Sequence, residues 1–163
     1  MRFILYPMLL GIVILLQSTV LGNIAIVGVK PDLVMLIVVL SSFVAGARAG
    51  AFLGFIGGIV EDLFLGNYIG LNALVKMTAG YLAGAAGKRL YRENTVIATF
   101  VAFFTSLAGF MVNYLLLFYL DIAIAPVQAL FKVALPAAIY TALLTPFIFQ
   151  RIFRSMQMRS RDL

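Results

Sequence analysis

The stretch Gly46-Ala-Arg-Ala-Gly50-Ala-Phe-Leu-Gly54-Phe-Ile-Gly57-Gly58-Ile-Val-Glu61-Asp62-Leu-Phe-Leu-Gly66 decides the fold class. Gly46, Gly50, Gly54 and Gly58 recur at every fourth residue, which on a helix sets them along one ridge. Extending the ridge by four reaches Asp62 and then Gly66. In lipid there is little hydrophobic drive between helices, so small residues that let backbones approach supply much of the packing. The stretch reads as a transmembrane helix built to lie against a neighbour.

The neighbour follows in sequence. Beyond the turn-forming Gly66-Asn67-Tyr68-Ile69-Gly70, the segment from Leu71 to Ala86 repeats the pattern with Asn72, Lys76, Gly80 and Gly84 on one ridge. The two segments are expected to form a close-packed antiparallel hairpin. Asp62 would lie roughly 6 Å below the turn and Lys76 roughly 9 Å below it, at 1.5 Å per residue. They are therefore expected to meet. Glu61 is about 100° away around the helix, so both carboxylates cannot address one partner equally well. A charge at membrane depth costs about 2.5–3.5 kcal/mol on insertion scales, which turns all three inward. A structural ion pair, a polar pocket or partner contact, and a proton or ion relay all fit this cluster of Glu61, Asp62, Asn72 and Lys76.

Composition agrees with a membrane chain. Of 163 residues, 64% are hydrophobic and only 11% charged, against about 45–50% and 25% in soluble domains. At roughly 20 residues per span, the reading is a single domain of six transmembrane helices, near 3–21, 33–46, 49–65, 71–86, 95–120 and 130–149. A basic tail, 151–163, follows. Pro136 and Pro146 imply kinks in the last span. Single Ser and Thr residues within spans, such as Thr105, are expected to bond back to their own helix. Asn113 marks an interhelical bond.

With the N-terminus inside, nine basic residues fall on inner loops: Arg2, Arg48, Lys88, Arg89, Arg92, Arg151, Arg154, Arg159 and Arg161. Lys30 alone falls outside, and this bias places both termini in the cytoplasm. The formal charge of +6 then needs no nucleic-acid partner, because basic loops orient the chain and meet anionic lipid. The chain has no His and no Cys, which removes the usual general base, the commonest metal ligand and thiolate sites. Neither a catalytic constellation nor a cofactor site is expected.

Several of these residues resemble a known pattern. Pro31-Asp32-Leu33, the glycine-rich span ending in Glu61-Asp62, Gly70-Leu-Asn-Ala-Leu74 and Gly80-Tyr-Leu-Ala-Gly84 follow one another as in the bacterial rod shape-determining MreD family. The resemblance covers roughly residues 31–87, and the flanking spans match only in hydropathy. It implies an all-α integral membrane protein whose six helices resemble the S-component bundle of energy-coupling-factor transporters. It also implies a non-enzymatic role in the cytoplasmic membrane, in the machinery that builds lateral peptidoglycan. The implied partner is the bitopic protein MreC. The wider assembly holds RodA, a class-B penicillin-binding transpeptidase, RodZ and MreB filaments. Capture of a vitamin-like solute by an S-component-like bundle is the alternative. A homodimer through the small-residue ridges also stays open.

Overall fold

The computed structural model describes residues 12–13, 32–65, 68–91, 93–121 and 126–161, and every regular element among them is helical. Helix α1 spans Leu33–Ala45, α2 Ala47–Leu65, α3 Leu71–Arg89 and α4 Thr95–Tyr119. A short α5, Pro126–Ala129, leads through a π-helical segment, Leu130–Ala134, into α6, Leu135–Arg161. The expected first span, apart from Ile12 and Val13, lies outside the described residues. So do Lys30, Pro31, Gly66, Asn67 and Arg92.

Local chemistry sets the helix ends. Asp32 opens α1 by accepting from the Met35 N–H at 2.7 Å, which satisfies one of the free donors of the first turn. Gly46 closes α1 with φ 99°, a conformation that costs a side-chain-bearing residue energy. Its N–H returns to the Ser42 carbonyl at 2.8 Å. Asn94 opens α4 by accepting from Val96 and Ile97. Pro136 has no N–H to return to the turn before it, and the widened π segment lies directly upstream.

Helix α1 is the core of the bundle: Val34, Met35, Leu36, Val38, Val39, Leu40 and Phe43 are all buried. At 13 residues it is about 20 Å long, shorter than the roughly 30 Å of bilayer hydrocarbon. It is wrapped by protein rather than by lipid. Phe43 meets Phe149 of α6 at 6.1 Å between ring centroids, and Phe149 stacks on Phe153 at 5.6 Å. Val13, in the N-terminal part of the chain, packs with Ile37 and Val60 onto Val34 and Val38.

Two helical stretches, Thr95–Tyr119 and Leu130–Arg154, are long and apolar enough to cross a membrane by themselves. Most expected boundaries shift. The fourth expected span continues past Ala86 to Arg89. The last one begins at Pro126 and runs to Arg161, so the basic tail expected from residue 151 continues the helix as far as Arg161. Pro146 is accommodated inside α6.

Candidate functional site: a buried cluster of carboxylates and one lysine

The site begins with the hairpin of α2 and α3. The ridge glycines within α2 face backbone: a Cβ at Gly50 would meet the Gly80 carbonyl, one at Gly54 the Lys76 carbonyl, and one at Gly58 the backbone of Ala73. Gly84 lies against Gly46 in the same way, and Gly87 against the Phe43 carbonyl of α1. Gly50, Gly54, Gly58, Gly80 and Gly84 are consumed within the chain, whereas Gly46, expected on the same ridge, is the break between α1 and α2 at φ 99°, where a Cβ would meet only Lys88 Cε at 3.6 Å. None of the five consumed glycines is open to a second copy. Their approach sets α2, α3 and α1 close enough for short polar bridges between them.

Those bridges form at the end of the bundle where α2 finishes and α1 and α3 begin. Glu61, Asp62 and Lys76 are all buried, and Lys76 is 1% exposed. Lys76 does not pair with Asp62. Its Nζ donates to Asp32 Oδ2 at 2.9 Å and forms an ion pair with Glu61 Oε2 at 2.5 Å. Asp62 instead caps α3. Its Oδ2 accepts from the N–H groups of Gly70 at 2.8 Å and Ala73 at 3.2 Å. Its Oδ1 accepts from the Asn72 N–H at 3.2 Å and from Asn72 Nδ2 at 2.9 Å.

The electrostatics follow from this division. The cluster holds three carboxylates and one ammonium, shared by Asp32 and Glu61, which would leave an excess of negative charge in a region of low dielectric. Two of them also sit on helix N-termini, Asp32 on α1 and Asp62 on α3, and each terminus carries roughly half a positive charge. The free N–H groups that lack partners inside a helix are thus satisfied by acids that themselves need neutralising. Asp32, with its side chain 22% exposed, is the open member of the cluster.

Sequence reasoning named Glu61, Asp62, Asn72 and Lys76, and the structure brings these four together. It missed Asp32 as a member. The available signal was that Asp32 opens a helix beside an otherwise uncompensated lysine. Among the described residues no group of His, Cys, Asp and Glu is arranged to hold a metal ion. Thr105 bonds back to the Val101 carbonyl at 2.6 Å. The Asn113 side chain makes no hydrogen bond to any described residue, so the expected interhelical bond is not formed among them.

The charges at the opposite end have the other sign. Arg48, Lys88, Arg89, Arg151 and Arg154 are all exposed, and Lys88 reaches the Gly46 turn, its Cε 3.6 Å from where a Cβ would stand. The molecule therefore has an acidic end buried in its own packing and a basic end open to its surroundings. The family model described as rod shape-determining protein MreD matches residues 1–156, nearly the whole chain. The chain belongs to the MreD family. Membership carries a role in rod-shape determination and, with the apolar helices, makes this a membrane protein of a shape-determining rather than an enzyme family. No curated protein and no solved structure matches the chain.

Proposed function

We propose that the protein is a scaffold of the bacterial elongation machinery, a six-span, S-component-like bundle in the cytoplasmic membrane with both termini in the cytoplasm. It holds the single span of MreC and so helps organise lateral peptidoglycan synthesis alongside RodA, a class-B penicillin-binding transpeptidase, RodZ and MreB. The observation that supports this reading best is the internal use of the cluster. Lys76, Glu61, Asp62 and Asp32 are engaged with one another and with helix ends. What the chain turns outward is helix surface, such as the exposed Phe100, Phe104, Met111 and Phe118 of α4, together with the basic end.

A second reading, solute capture in the manner of a transporter S-component, is favoured by a cavity of about 710 Å³ between α4 and the π segment, lined by Phe104, Met111, Asn113, Tyr114 and Phe131 among others. Purification in mild detergent from the native membrane separates the two. A stoichiometric MreC-like partner is the expected result. A membrane coupling protein with paired ATPases, or a bound vitamin-like solute, would overturn the scaffold reading.

A further inference from the structure

Two stripes of exposed residues run side by side on one flank of the α2–α3 hairpin. On α2, Arg48, Phe52 and Phe55 follow at intervals of four and three residues, the spacing of a single helix face. On α3, Leu74, Tyr81 and Lys88 recur every seven residues and so share a face as well. All six are exposed. Glycine packing fixes their levels, since Gly84 lies against Gly46 and Ala47, and Gly80 against Gly50. Arg48 therefore lies within one helical turn of Gly46, and Tyr81 about one turn from it, roughly 6 Å. The two stripes share a flank, because α1 lies beneath both helices and Val13 packs on the other side, with Val60, onto Val34 and Val38. Down that flank come charge at the basic end, then a phenol, then hydrocarbon, which is the order of groups in a phospholipid.

The two cations lack an anion. Lys88 brings its Cε to 3.6 Å from where a Cβ of Gly46 would stand, so its ammonium lies beside the turn that Arg48 follows by two residues. Neither side chain bonds to or pairs with a described residue. Helix α2 has no acid in its first turn, and a helix start carries roughly half a positive charge, which disfavours Arg48 there. Basic residues beside a turn also orient the chain, and a lysine in the last turn of α3 suits its dipole. Neither role asks for two cations at one turn with a phenol beneath them. Tyr81 is 53% exposed, and its hydroxyl bonds to no described residue.

We infer that this flank is a binding site for one phospholipid with an anionic headgroup, in the leaflet at the basic end. Its phosphate accepts from the Arg48 guanidinium and the Lys88 ammonium. An ester carbonyl accepts from the Tyr81 hydroxyl, and an acyl chain lies along Phe52, Phe55 and Leu74. A zwitterionic headgroup serves less well, because its own cation would come against the two already there. Water solvates the charges but leaves them uncompensated, and it does not cover the aromatic surface. A site of this kind needs only that the chain lies in a membrane, so it stands apart from the scaffold reading.

The full chain is purified in mild detergent and titrated with phosphatidylglycerol or phosphatidylcholine, and bound lipid is counted by native mass spectrometry. One phosphatidylglycerol per chain is expected, held about tenfold more tightly than phosphatidylcholine. Arg48→Gln with Lys88→Gln should weaken it about thirtyfold, the effect of two basic residues at a membrane surface. Arg151→Gln with Arg154→Gln removes the same charge from α6 and should weaken it less than about threefold. Phosphatidylglycerol with ether-linked chains has no ester carbonyl. It should bind about fivefold less well than the ester form, the effect of one hydrogen bond, and Tyr81→Phe should erase that difference. Equal losses from the two double variants would reduce the site to general surface charge and overturn it. Equal binding of the two headgroups would do the same, as would an ester preference that is absent from the unaltered chain or survives Tyr81→Phe.

Discussion

At Lys76 one ammonium holds two carboxylates from two other helices, Glu61 of α2 and Asp32 at the start of α1. Removing it leaves Glu61 buried beside a partly exposed Asp32 with no cation between them. Lys76→Ala is expected to destabilise the protein by about 3–5 kcal/mol, read as loss of thermal stability in detergent. Glu61→Gln added to Lys76→Ala should recover part of that loss, whereas Asp62→Asn should recover none, because Asp62 does not face the lysine. Recovery by Asp62→Asn alone would show the pairing to be different. Asp62→Ala is expected to cost about 2 kcal/mol by a separate route, the loss of the acceptor for the first turn of α3. Sequence spacing could not divide these roles. Glu61 and Asp62 are adjacent, and periodicity says only that they diverge by about 100°. Which of them faces Lys76 depends on the rotation of α2 against α3, and Asp32 enters from 44 residues away.

The helices themselves are more legible in the sequence than their contacts. Glycines four apart on both segments announce the hairpin, since that spacing has one geometric meaning on a helix. The depth of its use is not legible there: Gly84 and Gly87 also admit the turn and the last carbonyls of α1, a third helix that the two ridges do not specify. Helix α1 reads as a short span because its composition is apolar throughout, and apolarity alone does not separate lipid-facing from core. The contrast between two glycines tests this level. Gly54→Ala would drive a Cβ into the Lys76 carbonyl and is expected to cost about 3 kcal/mol. Gly70→Ala meets no atom and bears only the strain of φ 101°, about 1 kcal/mol. Unfolding in detergent should rank them in that order, and equal losses would mean that the hairpin is looser than described.

For the molecule as a whole, the separation of an enclosed acidic end from an open basic end sets the expected orientation. Arg48, Lys88, Arg89, Arg151 and Arg154 cluster where α3 and α6 finish and α4 begins, and basic residues are retained in the cytoplasm. A phosphatase fused after Leu163 should be inactive and a fluorescent protein fused there bright. The opposite pair of results would invert the molecule. The enclosure of α1 has a further consequence, in time rather than in space. Asp32 enters the membrane 44 residues ahead of the lysine that neutralises it. At about 5–20 residues per second of synthesis, that is a wait of roughly two to nine seconds. Until α3 arrives, the carboxylate at the head of α1 lacks the ammonium that neutralises it. The nascent chain therefore passes through a stage at which its future centre carries an uncompensated charge.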